Sequence, residues 1–363
     1  MIGCQPNHKK TGKDTSSKIS ENAFKLPDSL SARRISFVLK LRDHVAQKYW
    51  EGFANKRSEG TFIYFNKESS EIFFPTKRVL NKIENYETYS EDYVISPRTD
   101  SIPYHFELMI TFDKSQVDRF YYDHPVQQFL SVEETTEFIP SIISTEAWAT
   151  LVIHEMFHHF QYNNLTFREY AKSNIGSIPY DIRNLQQLCE DNSDFLALVQ
   201  QENDQLMDAI SAQKDSSLIA HIESYLNNRK HRIKAYKEQH PFMDVVESYY
   251  ILQEGSARYI EYQCANVLSE FATKPDSINI IDDPRFNFFR EFVNFDVTDE
   301  NFSWLTYAGP TTYHYSIGFN QMRLLDKLGV KYKENLFNNP SKALHKYLEE
   351  YLINTSSSKN YGD

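Results

Sequence analysis

The chain changes its hydrophobic period near Pro140, and that change limits the folds open to it. Between about residues 60 and 140 the apolar residues come in short β-branched and aromatic runs: Thr61 to Phe65, Glu71 to Phe74 and Phe106 to Phe112. Runs of this length and composition predict strands of a small sheet. Pro75, Pro97, Pro103, Pro125 and Pro140 keep these elements short, because proline has no N–H to donate and cannot continue a helix. After Pro140 the spacing becomes helical. Ser144 or Thr145 can cap a helix that carries Glu146 in its first turn and Trp148, Leu151, Val152, Met156 and Phe160 along its length. Further helices are expected at about 181–212, 217–238, 241–268, 314–328 and 341–353. Ahead of the sheet, Phe37, Val38, Leu41, Val45, Tyr49 and Phe53 mark an amphipathic helix from Ile35 to about Phe53. The expected class is α+β: a small N-terminal mixed sheet with a helix, then a predominantly helical region, without the alternation of a doubly wound fold.

Three portions follow. Residues 1–30 are polar and Ser/Lys/Thr-rich, which predicts a disordered tether; 31–140 form an N-terminal α/β portion; 141–355 form the helical portion. At 363 residues, 40% of them hydrophobic, the chain can bury a sizeable core. The formal net charge of −11 and a pI near 5.6 would repel a polyanion, so nucleic acid is not an expected partner. The one short basic run, Arg229-Lys230-His231-Arg232, ends an expected helix, where it complements the negative helix end. No apolar stretch approaches the ~20 residues that span a bilayer. Ile2-Gly3-Cys4 followed by a polar tail looks like the end of a bacterial lipoprotein signal. That likeness implies an extracytoplasmic chain whose membrane contact is a lipid on Cys4; without it, the chain would be cytoplasmic. Cys189 and Cys264 form no CxxC pair and are not expected metal ligands; with lipid on Cys4 they are most simply buried free thiols, a bridge between them being the alternative.

The chemistry is concentrated in His154-Glu155-Met156-Phe157-His158. Residues four apart share a helix face, so the two imidazoles can turn onto one zinc ion. Glu155, about 100° round the helix, stands where a carboxylate can take a proton from water activated by the metal. At this chain's His and Glu frequencies chance supplies roughly 0.03 such matches, which favours a metal site over coincidence. His159 points elsewhere and is expected to support the site or lie on the surface. A third ligand is needed, and Glu254 in Leu252-Gln253-Glu254-Gly255-Ser256-Ala257-Arg258-Tyr259 is the strongest candidate. Pro241 can occupy the first turn of its helix, which puts Glu254 deep inside. There Gly255 costs about 1 kcal/mol relative to Ala unless a second backbone comes close, as packing against the His154/His158 helix would require. Glu247 and Glu261, each seven residues away, share nearly the same face as rivals, and Glu247 is also a candidate to support a ligand.

His154-Glu155-x-x-His158 with a distant Glu254-Gly255-x-Ala257 resembles the gluzincin metallopeptidases. The QEGSA stretch is similar to the third-ligand segment of bacterial collagenases. "HYSIGFNQMRLLDKLG" resembles the Tyr-x-x-Gly helix of zinc aminopeptidases at Tyr315 and Gly318, which implies that Tyr315 donates a hydrogen bond to a developing oxyanion; Tyr307, Tyr313 and His314 are neighbours able to do the same. The likeness covers about residues 140 to 330. The interval of 96 positions between His158 and Glu254, and Arg258 in place of an acidic residue, set the chain apart from thermolysin-like enzymes. It looks closer to uncharacterised bacterial proteins with an HExxHxxQ helix and a later EGxAxY helix, which Gln161 and Tyr259 fit. The resemblance implies Zn2+ held by His154, His158 and Glu254, Glu155 as general base, and a peptide or protein as substrate. A zinc hydrolase of another amide or ester, or a silent scaffold that binds without catalysis, are the alternatives.

Overall fold

Ser29 opens the first helix, α1 (Leu30–Tyr49), by accepting a hydrogen bond from the Ala32 backbone N–H. The structure, a computed structural model, describes residues 27–54, 61–81, 83–98, 126–273 and 280–359. Cys4, most of the expected tether and the run from Phe106 to Phe112 lie outside them. α1 buries Ile35, Val38, Leu41 and Val45, the stripe that its spacing predicts. It ends short of Phe53, because Trp50 is extended and Gly52, with φ +87°, reverses the chain. The reversal lets Phe53 fold back into the core, its ring 5.0 Å from that of Phe157.

Five strands form a mixed sheet in the order β3-β4-β2-β1-β5. They are β1 (Thr61–Phe65), β2 (Ser69–Phe73), β3 (Glu87–Ser90), β4 (Tyr93–Pro97) and β5 (Val126–Leu130). β1 pairs antiparallel with β2 and parallel with β5; the other pairs are antiparallel. All five β1 residues are buried because both faces of the sheet are covered. Phe62 and Tyr64 face the helical body, while Ile63 and Phe65 join a small second cluster with Ile72, Val94 and Val79 of α2 (Lys77–Leu80).

β5 leads into α3 (Val132–Phe138) and then α4 (Thr145–Asn163), capped by Ser144, whose hydroxyl accepts from the Ala147 N–H. Two contacts fix α4, one to the sheet and one through Asp283 to α1. Trp148 Nε1 donates to the Leu130 carbonyl at 3.1 Å, and Asp283 accepts from both Thr145 Oγ1 and the buried Arg34 guanidinium of α1. Phe62, Tyr64, Phe73 and Phe129 share one apolar cluster with Trp148, Leu252 and Leu324. The change near residue 140 therefore separates kinds of element, not two cores.

The rest is helical: α5 (Leu165–Tyr170), α6 (Ile182–Asp191), α7 (Ser193–Ser211), α8 (Asp215–Tyr236), α9 (Met243–Ala272), α10 (Tyr313–Lys327) and α11 (Leu344–Lys359). The helix expected over 181–212 is two helices. Asn192 adopts an extended backbone between them, ends α6, and caps α7 by accepting from the Phe195 N–H. Pro241 lies just ahead of α9 rather than in its first turn.

α7 and α8 form a hairpin held to α9 by fully buried charges. Arg232 donates to both carboxylate oxygens of Glu202 (2.7 and 2.8 Å) and of Glu247 (2.8 and 3.1 Å). Removing one member of such a set leaves a buried charge uncompensated and costs about 3–5 kcal/mol. Cys189 and Cys264 are buried free thiols. Among the described residues no helix is long and apolar enough to cross a membrane.

Candidate metal centre

His154 and His158 stand one turn apart on α4, and Glu254 comes from the middle of α9, which packs across it. Their donor atoms converge: His154 Nε2 to His158 Nε2 is 3.1 Å, His158 Nε2 to Glu254 Oε2 is 3.1 Å, and His154 Nε2 to Glu254 Oε2 is 3.7 Å. Zinc bonds of about 2.0–2.1 Å in a tetrahedral arrangement set donor atoms about 3.3 Å apart, and the three observed edges bracket that value. Two neutral nitrogens and one carboxylate oxygen are also the donor set of known open zinc sites. His154, His158 and Glu254 are the group of metal-capable side chains among the described residues. The residues present thus fit a zinc ion.

The hydrogen bonds around the donors hold them in place. His158 Nδ1 lies 2.9 Å from Gln161 Oε1, and the Gln161 amide nitrogen donates to the Gln253 carbonyl and to Ser256 Oγ, both at 2.8 Å. With its amide nitrogen committed to α9, Gln161 presents only an oxygen to His158. The imidazole must put its proton on Nδ1, which leaves Nε2 with a lone pair for a metal. Gln161 therefore sets the tautomer of His158 and ties α4 to α9.

Glu261 has a related place at the other histidine. Its Oε2 lies 3.4 Å from His154 Nδ1, behind the ring and away from the donor triangle. The heptad face read from sequence is real, but Glu261 lies as a charge behind His154 rather than in the donor triangle. Glu247 does not support the ligands at all. It is bound to Arg232 and Arg229 and accepts a hydrogen bond from Tyr313 at 3.0 Å.

Glu155 stands beside the triangle, its Oε1 3.8 Å from His154 Nε2, and is nearly buried. Three carboxylates around two imidazoles create a strongly negative pocket. Burial pulls both histidines down, but Glu261, Glu254 and Glu155 outweigh it for His154, and Glu254 and Glu155 for His158, so both lie above the usual range. Burial favours neutral Glu254, yet the adjacent His158 and His154 hold its carboxyl well below the usual range. A divalent cation at the donor triangle would supply positive charge at the point where these carboxylates converge.

Tyr315, in the first turn of α10, lies over the site, with its ring 6.2 Å from the His154 ring at an angle of 28°. Burial, then the charges of Glu254 and Glu155, push its phenol far up, so it keeps its proton and remains a donor. Its neighbours point elsewhere: Tyr313 to Glu247, and Tyr307 largely to solvent. His314 is buried and pushed down to about 4, chiefly by burial. Arg258 holds Tyr315 in position. Its guanidinium lies 4.5 Å from the ring centroid, and its Nη1 donates to the Trp304 carbonyl and to Ser316 Oγ at 3.1 and 3.2 Å.

Gly255 does mark a close backbone approach, but to α10 rather than to the histidine helix. A Cβ on Gly255 would lie 2.4 Å from Gly318 Cα, and one on Gly318 would lie 2.1 Å from the Ile251 carbonyl oxygen. The paired glycines let α10 lie against α9 just beyond Glu254, which carries Tyr315 to the site. His159 is buried rather than on the surface. Its ring accepts from Asn163 Nδ2 at 3.4 Å, and burial with Arg42 pushes it down to about 3. Tyr259 sits away from the triangle and donates to Asp326 Oδ2 at 2.5 Å.

Sequence reasoning missed the part played by Glu261 and Arg258. Their helical offsets of seven and four from Glu254 place them on its face, which was the available signal. No family model, curated protein or solved structure matches this chain.

Proposed function

We propose that the chain is a zinc-dependent hydrolase, in the first instance a metallopeptidase, with His154, His158 and Glu254 holding the ion. The observation that carries this reading is the convergence of three donor atoms with a fourth side chain, the Glu155 carboxylate, 3.8 Å from His154 Nε2. A purely structural ion needs no such base beside it. When bound, zinc supplies Lewis acidity, polarising a carbonyl oxygen and lowering the pKa of water.

The chain's own residues do the rest. Glu155 takes a proton from the attacking water as the new C–O bond forms, then returns it to the leaving amine nitrogen as the C–N bond breaks. The products are a carboxylate and an amine. Tyr315, held protonated, donates to the oxyanion that develops on the carbonyl oxygen. Gln161 keeps His158 in the ligating tautomer throughout.

The experiment is a metal analysis of the purified chain followed by a peptide-library cleavage screen, with and without chelator. Stoichiometric zinc and cleavage abolished by the chelator are expected. Zinc without cleavage of any peptide would overturn the peptidase reading in favour of another amide or ester, and absence of zinc affinity would overturn the metal reading itself.

A further inference from the structure

The basic run Arg229-Lys230-His231-Arg232 divides between two tasks. Arg229 and Arg232 turn inward to the buried carboxylates, while Lys230 turns outward to a cleft of about 1090 Å³ between α8, α9 and α11. The cleft shares no residue with the metal centre. Its volume is at the upper end of small-ligand pockets, ~300–1,000 Å³.

Four features converge there. Lys230, Lys234 and Lys237 follow one face of α8 and line the cleft, and none of them is in an ion pair among the described residues. The opposite wall is made by the first turns of two long helices, Asp244 of α9 and His345 and Lys346 of α11. These ends carry partial positive charge and N–H groups with no partner inside the helix. The acidic residues on the lining are already used: Asp244 pairs with Arg229 at 2.7 Å, and Glu349 with Lys346 at 2.9 Å. The fourth feature points directly to a ligand. His345 is more than nine-tenths buried, lines the cleft, and its imidazole makes no hydrogen bond among the described residues. Arg229 beside it keeps a buried Nε–H without an acceptor.

We infer that this cleft binds a soluble phosphate monoester with an apolar or aromatic body. Three uncompensated lysines and two helix N-termini exceed what one carboxylate would neutralise, and match a dianion. Leu226, Ile233 and Met243 give the remainder of the cleft an apolar lining, suited to a ring system rather than to inorganic phosphate alone. The imidazole N–H of His345 is the donor such a phosphate would satisfy. Concavity favours a free molecule over a lipid headgroup held in a flat surface.

The test is calorimetric titration of the full chain with AMP and with inorganic phosphate at constant ionic strength, together with sedimentation on phosphatidylglycerol and phosphatidylcholine vesicles. Saturable one-to-one binding of AMP, tighter than that of inorganic phosphate, is expected. The combined variant Lys230→Gln, Lys234→Gln, Lys237→Gln should weaken AMP at least tenfold, with unchanged circular dichroism and Tm. His345→Gln should weaken it threefold or more, whereas Lys67→Gln, outside the cleft, should not. No saturable AMP binding, equal binding by the triple variant, or binding only to phosphatidylglycerol vesicles would overturn the proposal.

Discussion

Gly255 and Gly318 meet backbone to backbone, and no side chain fits between them: a Cβ on Gly318 would lie 2.1 Å from the Ile251 carbonyl oxygen. Both glycines lie within helices, where Ala is otherwise favoured by about 1 kcal/mol. Gly318→Ala should nevertheless destabilise the fold by about 2 kcal/mol, because only backbone can move to make room. Urea unfolding checks this, and a variant as stable as the parent would contradict the close approach. The same substitution should lower turnover, since it displaces the helix that carries Tyr315.

Glu155→Gln keeps the size and burial of the side chain and removes its basicity. Zinc stoichiometry should stay at one, while kcat falls by about 10²–10⁴. Metal analysis and single-turnover cleavage give the two readings separately. A variant that turns over at the parental rate would remove Glu155 from the mechanism.

Tyr315→Phe deletes one hydroxyl and keeps the ring contacts with His154 and Arg258. kcat should drop by about 10²–10³ with KM nearly unchanged, the pattern of a donor used only in the transition state. A rise in KM alone would assign Tyr315 to substrate binding instead.

Gln161→Leu removes the acceptor that orients His158. Zinc affinity should fall 10–100-fold, measured by competition with a chelating dye. The fold should survive at a cost of about 1–3 kcal/mol, because Ser256 Oγ loses a partner in a buried site.

His345 offers a pH test remote from the metal. Burial, then the neighbouring Arg229 and Lys346, push it down to about 3 despite the opposing charge of Asp244. In the unfolded chain it titrates near the ordinary value of 6.5. The unfolded state therefore binds more protons between those values, and the fold gains stability as pH rises. That contribution is complete above about pH 6.5 and is lost as pH falls toward 3. Urea midpoints at pH 7, 5.5 and 4.5 should decline less steeply for His345→Gln than for the parent.

The candidate site was more legible than the frame that holds it. His154 and His158 declare themselves because a helix brings residues four apart to one face, and Glu254 because a glycine follows it in mid-helix. That glycine says that a backbone comes close, not which one; the partner is Gly318, 63 positions on. Glu261 was read as a rival ligand because helical offset gives a face but not a depth. β3, β4 and β5 went unread: β3 is four residues long and largely exposed, with no alternation to detect. The break at Asn192 interrupts a run whose apolar spacing continues on both sides, so only the capping chemistry of Asn192 could have revealed it.

The polar tie between α4 and α9 has a consequence for the way the protein is made. During synthesis His158 leaves the ribosome 96 residues ahead of Glu254, an interval of roughly 5–20 s at ordinary elongation rates. Over that interval the nascent chain holds His154 and His158 without Glu254, and the residues of α7 and α8 are made before those of α9. Gln161 and the paired glycines join α4, α9 and α10 around the donors once these helices have been made. On the proposed zinc reading, the ion meets all three donors only after α9 has been made, so metal capture would follow the synthesis of this half of the chain.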